Sequence, residues 1–198
     1  PRRAARALRV SRGLSTRRRG AGTYVKAIAG ERSDSEEFAR SQQFGGFTSD
    51  MCGKKVESVV NEFSLLRAPK YVAEKLQVPE TAFVCYICRT RFVEGKPHVV
   101  EYMYMPTDFI TGITEEVVKN SVYEYIEQQL KLKIKSAHRI ARADMPTGQE
   151  REWLQIGQEE IPILEVEQTA YLDDGRIFEY SRSRHRADCF VLRTVSVR

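Results

Sequence analysis

The chain has 198 residues, 41% of them hydrophobic and 30% charged. That length suits one full domain plus a smaller piece, and that composition suits a water-soluble chain with a real core. No apolar run is long enough for a spanning helix, and no apolar stretch follows the basic start as a signal peptide requires, so the expected location is the cytoplasm, with no membrane partner.

Charge divides the chain. Residues 1–26 hold eight Arg, Lys26 and no acid, a charge of +9; with a formal net of +5, the remainder carries −4. A basic arm on a slightly acidic body points to a polyanion met at one end. A basic tail with no specific partner would have the same composition. Residues 27–43 are polar, with Gly30, Ser33, Asp34 and Ser35, and read as a linker. Residues 44–198 are dense in apolar periodicity and form the main domain.

Within that domain, residues 56–63 read as a strand. Residues 68–76 read as a helix, with Pro69 at an early position. Cys85 and Cys88 form a CxxC inside the strand-like run 82–91. Residues three apart on a strand face opposite ways, so the two sulfurs diverge and the pair reads as structural. A Glu94-Gly95 turn leads to a strand containing Glu101-Tyr102. Residues 120–130 carry Val122, Tyr125, Ile126 and Leu130 at the helical period, with Asn120 or Ser121 as cap. Residues 136–143 read as another strand. Residues 147–154 read as a helix opened by a Thr147/Glu150 capping box. Then come a strand through Tyr171, an Asp174-Gly175 turn and a strand containing Glu179-Tyr180.

The order repeats. Leu76-Gln77-Val78-Pro79 and Leu154-Gln155-Ile156-Gly157 each close a helix and lead into a strand, a turn and a second strand. From Gly95 to Glu101 is six residues and from Gly175 to Glu179 is four. Both offsets are even, so each glutamate lies on the same strand face relative to its turn. Two such hairpins predict an α+β fold: a mostly antiparallel sheet with flanking helices.

Arg89 and Arg91 are two apart on a strand and face the same side. Two convergent guanidiniums suit a phosphate or a carboxylate, although a solvated strand face has the same spacing. Ser121 and Tyr123 lie at a helix start, where free N–H groups favour an anion. Glu101 and Glu179 can accept hydrogen bonds from hydroxyl or amino groups. Two carboxylates facing one cleft also suit acid–base catalysis. No nucleophile–base pair, metal constellation or cofactor loop accompanies them, so no cofactor is expected.

These motifs, taken in order, resemble the effector-binding UTRA domain of HutC-subfamily GntR regulators, which shares the chorismate-lyase fold. The resemblance covers residues 44–198. It rests on Arg89-Thr90-Arg91, on Glu94-Gly95-Lys96-Pro97 with Glu101, and on Tyr104-Met105-Pro106. Asn120-Ser121-Val122-Tyr123 and the run from Phe178-Glu179-Tyr180-Ser181 to Arg186-Ala187-Asp188-Cys189-Phe190 complete it. Ser183-Arg184-His185-Arg186 is most similar to sugar-phosphate sensors, such as repressors of trehalose operons. At the N-terminus, Arg18-Arg19-Gly20-Ala21-Gly22-Thr23-Tyr24-Val25 resembles the wing of a GntR winged helix-turn-helix. Residues 1–26 are shorter than that domain and are read as an incomplete remnant of it.

The resemblance implies a non-enzymatic, homodimeric repressor released from operator DNA by a small effector, here a sugar phosphate. It implies that Arg89, Arg91, Ser121, Tyr123, Phe47 and Thr48 hold the phosphate, the last two by loop N–H groups. It implies that Glu101, Glu179 and His185, the last where relatives often carry Tyr, meet the effector's body. Arg17, Arg18, Arg19, Gly20 and Gly22 would meet DNA. The alternatives are a lyase-like enzyme and a regulator sensing an unphosphorylated carboxylate.

Overall fold

A computed structural model describes residues 15–18, 22–25 and 46–191, except 52, 158 and 159. Residues 44–191 form one compact unit; residues 1–43 and 192–198 fall in a second. Within the second unit, β1 (Ser15–Arg18) and β2 (Gly22–Val25) pair antiparallel, with Arg17 opposite Thr23 and Arg18 opposite Gly22. Arg19 and Gly20 lie outside the described residues, as does the linker.

The larger unit is built on six strands: β3 (Val56–Arg67), β4 (Phe83–Val93), β5 (Lys96–Pro106), β6 (Ile134–Asp144), β7 (Ile163–Leu172) and β8 (Ile177–Arg186). They form one antiparallel sheet in the order β3-β4-β5-β8-β7-β6. Each half is an outer strand, a short helix and a hairpin, and the two hairpins meet at β5 and β8. The helices are α2 (Lys70–Leu76) in the first half and α5 (Gly148–Trp153) in the second. A short turn of helix, α1 (Phe47–Asp50), precedes β3, and α3 (Glu115–Lys119) and α4 (Val122–Gln128) connect the halves. Among the described residues no helix is long and apolar enough to cross a membrane.

The repeat extends to backbone detail. Gln77 and Gln155, at matching places, both adopt left-handed conformations, φ 56° and 53°. The N–H of the next residue in each copy returns to the helix, Val78 to Ala73 and Ile156 to Arg151. This closes the helix end that carbonyls would otherwise leave open. The two turns differ from each other. Glu94-Gly95 is the tight one, with positive φ at both residues (50° and 77°), as a two-residue hairpin twist requires. Asp174-Gly175 sits in a longer turn with only Gly175 left-handed.

Helix boundaries follow their caps. Pro69 is the residue before α2 rather than inside it. Thr147 and Glu150 form the capping box in full. Of the two expected caps, Ser121 is the one that accepts the Glu124 N–H, and α4 starts at Val122.

The two sheet faces bury different cores. On one, α3 and α4 cover Cys85, Ile87, Met103, Met105, Ala170 and Leu172 with Val118, Val122 and Ile126. On the other, α2 covers Val84, Ile177 and Tyr180, and α5 with the residues after it covers Cys88, Val100 and Ile163. Cys85 and Cys88 thus belong to opposite cores. Burial pushes each thiol up to about 11, which leaves them inert at neutral pH. The second face also carries a buried ion network. Arg184 pairs with Glu165 and Glu150, all 3% exposed or less, and with Asp144 at the rim. Glu150 is therefore both helix cap and counter-ion, and it ties α5 to β8. Both edge strands carry exposed charge, Glu57 and Glu62 on β3 and Lys135 and Arg142 on β6, which discourages edge-to-edge pairing.

Candidate effector site

The strand register assembles the site on the face covered by α3 and α4. Arg89 lies opposite Glu101, Glu101 opposite Ser183, and Ser183 opposite Val166. Arg91 lies opposite Val99, and Val99 opposite His185. Because side chains alternate, Arg89, Arg91, Glu101, Glu179, Ser181 and His185 all emerge on this one face.

Arg89 is 4% exposed and makes three hydrogen bonds. Its Nε donates to Glu101 Oε2 at 2.7 Å, and its Nη1 to the carbonyls of Val118 and Asn120. Arg91 is 2% exposed. It donates from Nη2 to the Thr48 hydroxyl at 2.6 Å and from Nη1 to the Asn120 carbonyl at 3.4 Å. The Phe47 ring lies 5.3 Å from its guanidinium carbon. Its Nε, also buried, has no hydrogen-bond partner. Arg91's hydrogen-bond partners are thus neutral, while Glu101 is paired to Arg89. Two buried cations share one anion, so this end carries an excess positive charge. Burial lowers the Arg91 guanidinium to about 10, and the neighbouring Arg89 adds to that against Glu101. For Glu101, burial alone would raise the carboxyl; Arg89 and Arg91 outweigh it and hold it ionised below the usual range.

The other end has the opposite character. Glu179 is 1% exposed. Its Oε1 accepts from Ser181 Oγ at 2.7 Å, Gln168 Nε2 at 3.0 Å and Tyr123 Oη at 3.2 Å. Its Oε2 is buried without a partner. Burial raises this carboxyl, and the like charge of Glu101 adds to it against the three donors. Gln168 also donates to Tyr123 Oη and accepts from Arg139 Nε at 2.7 Å. His185 is 6% exposed and stacks on Phe190, ring centres 3.9 Å apart. Burial lowers its imidazole to about 4, so it is neutral at physiological pH. The arrangement is polar end to end: an unmatched cation at Arg91 and an unmatched acceptor at Glu179.

Several of the expected site residues also make contacts within the fold. The hydroxyl of Ser121 caps α4, and the Asn120 carbonyl just before it, rather than an N–H, faces the arginines. Thr48 reaches Arg91 through its side chain. Tyr123 donates to Glu179. His185 is buried on the same sheet face as Glu101 and Glu179. Gln168, Ser181, Asn120 and Phe190 were not foreseen. Ser181 was readable, two residues from Glu179 on one strand; Gln168 needs the β7–β8 register. Among the described residues, no group of three His, Cys, Asp or Glu could hold a metal ion.

Comparison with known proteins accounts for this architecture. Residues 51–191 match the UTRA domain family. Over 189 residues the chain is 39% identical to the HTH-type transcriptional regulator GmuR of Bacillus subtilis, covering 96% of this chain and 78% of that one. Over 181 residues it is 32% identical to the mannosyl-D-glycerate transport/metabolism system repressor MngR of Escherichia coli, covering 90% and 72%. Among solved structures, a GntR-family regulator from Bacillus cereus superposes with a TM-score of 0.63 at 34% identity, covering 72% of this chain and 99% of that one. The effector-binding domain of the B. subtilis trehalose repressor TreR superposes with a TM-score of 0.63 at 27% identity, covering 72% and 98%. With its sheet, its repeat and its matched domain in agreement, the chain belongs to the GntR family of transcriptional regulators that carry a UTRA domain.

Proposed function

We propose that this regulator is a repressor that holds operator DNA as a homodimer and releases it when a phosphorylated sugar fills the site on the sheet. The observation that carries this reading is the site's polarity. A phosphate answers the unmatched cation at Arg91, flanked by Arg89, Thr48, Phe47 and the start of α4. Sugar hydroxyls, which are donors, answer the unpartnered Oε2 of Glu179, with Glu101, Tyr123 and His185 around the body. The names of two relatives, a mannosyl-D-glycerate system repressor and a trehalose repressor, support a carbohydrate effector.

The basic arm supports the DNA half. Arg17, Arg18 and Arg19, with Gly20 and Gly22, suit phosphate and minor-groove contacts. Release needs only that the effector favour the DNA-incompetent arrangement of the two heads. A thermal-shift panel of sugars with and without phosphate tests the effector class, since a bound ligand raises stability by mass action. The expected result is stabilisation by phosphorylated members only. Stabilisation by an unphosphorylated carboxylate instead would overturn the phosphate and leave a carboxylate sensor.

A second reading has one specific support. Glu101 and Glu179 are pushed in opposite directions, as an acid–base pair would be. A lyase-like activity would then show as release of an aromatic acid and pyruvate from an enolpyruvyl ether such as chorismate. Absence of turnover by protein that binds sugar phosphates would dispose of it.

A further inference from the structure

Resting on the effector reading above, we infer that Asp188 is a positioning residue of the site: it anchors the turn after β8 so that the Phe190 ring lies flat on His185 and sets the imidazole for the effector's body.

The need for such a residue comes from His185 itself. A neutral imidazole offers one donor and one acceptor nitrogen, so what it reads depends on how the ring is set. Among the described residues no hydrogen bond reaches this ring. Glu101 and His98 from β5 and Arg139 from β6 act on it through charge alone. Its ring contact is with Phe190, the centres 3.9 Å and the planes 21° apart. Stacking, rather than a hydrogen bond, therefore fixes the tilt of His185.

The sheet does not hold Phe190 in place. The last pairs of β8 are His185 with Val99 and Arg186 with Ile163, so the chain leaves both neighbouring strands there. The turn holds it instead. The Cys189 N–H returns to the Arg186 carbonyl at 3.1 Å. Within the turn, Asp188 accepts from Arg186 twice, Nε on Oδ1 at 2.9 Å and Nη2 on Oδ2 at 3.0 Å, and from Lys96 Nζ on Oδ2 at 3.0 Å. Arg186 is itself fixed to the Leu154 carbonyl at 2.7 Å, just after α5, and Lys96 opens β5. One carboxylate thus ties the turn to two parts of the fold. Continuing the β5–β8 register past Val99 and His185 sets Lys96 opposite Asp188, so the ion pair takes over where the ladder stops.

The Arg186 and Lys96 hydrogen bonds hold the Asp188 carboxyl well below the usual range, so the clamp stays charged at neutral pH. An isolated surface ion pair contributes little, but a bidentate fork joined by a second cation fixes orientation. The Asp188 side chain is 47% exposed and buries little apolar area, so its loss should leave the domain folded.

The test compares D188A, F190L and the double variant in the whole chain. NMR titration of the His185 imidazole needs no ligand. Wild type should titrate at about 4 and each variant nearer 6.5, because the uncovered ring regains water. Calorimetry then follows two probes, glucose 6-phosphate and inorganic phosphate. Each variant should bind the sugar phosphate about tenfold more weakly, about 1.4 kcal/mol, and inorganic phosphate within about twofold of wild type. A general loss of structure would weaken both alike. The double variant should match F190L, since Asp188 acts through Phe190. An unmoved imidazole in D188A, losses that add in the double variant, or equal weakening of both probes overturns the inference. Failure of the effector reading has a separate signature: glucose 6-phosphate binds wild type no better than inorganic phosphate. The imidazole titration of the three variants then decides the positioning role alone.

Discussion

Replacing Glu101 by Gln should destabilise the sensor domain in a way that depends on pH. Arg89 and Glu101 are a buried pair, their side chains 5% and 10% exposed and 2.7 Å apart. Removing one member of such a pair leaves the other charge uncompensated, a loss of about 3–5 kcal/mol. Arg89 keeps two carbonyl partners, so the lower figure, about 3 kcal/mol, is expected. With a urea slope of about 2 kcal/mol/M, the unfolding midpoint should fall by about 1.5 M. Burial works against the Glu101 carboxyl, but Arg89 and Arg91 hold it below its ordinary value of 4.5. A depressed carboxyl stabilises the fold above its unfolded value and ceases to do so as pH falls through its folded one. The gap between wild type and E101Q should therefore be full at neutral pH and close in acid. The double variant R89M/E101M should recover most of the loss, because apolar replacement of a whole buried pair is often neutral. A loss below about 0.5 kcal/mol, or one that persists unchanged to about pH 3, would refute this account of the pair.

Two further outcomes follow from the same geometry. His185 is neutral in the fold, its imidazole lowered by burial to about 4, while the unfolded chain protonates near 6.5. Its contribution is thus present above the unfolded value and lost as pH falls from there toward 4. Between pH 7 and 5 wild type should lose about 2 kcal/mol more than H185Q, read from paired urea titrations; parallel losses would contradict it. Gly112 has φ +70°, and a Cβ there would sit 2.4 Å from Tyr125 Oη. G112A should cost about 2 kcal/mol, part from the left-handed backbone and part from the displaced Tyr125. Y125F should rescue only the second part in a double-mutant cycle; full additivity would show that the two positions do not touch.

Much of this fold was readable because its signals are local or periodic. The two Gln-centred helix ends, the Glu94-Gly95 and Asp174-Gly175 turns and the Thr147/Glu150 box each sit within a few residues. Even spacing on strands put Arg89 with Arg91 and placed both glutamates on one face. What stayed hidden depends on register between distant strands. Gln168 becomes a site residue only because β7 sets it opposite Ser181, two residues from Glu179. The Asn120 carbonyl is a backbone atom and leaves no trace in composition. The short α3 escaped because five residues carry too little period; its marks are Thr114, which caps it at Val117, the acidic first turn of Glu115 and Glu116, and Lys119 at its end. The Arg184–Glu150–Glu165 network stayed hidden because nothing local shows that the fold brings these three charges together and buries them; Glu150 reads only as a helix cap.

Filling the Arg91–Glu179 site should loosen the hold on DNA. Fluorescence anisotropy of a labelled operator, selected from random duplexes by the protein itself, tests it most directly. With the tightest-binding sugar phosphate added to saturation, the DNA dissociation constant should rise at least about tenfold, about 1.4 kcal/mol of coupling. The same ligand should have little effect on R91Q whose native circular dichroism is intact. Unchanged DNA affinity with a ligand that demonstrably binds, or full release by R91Q, would contradict the account.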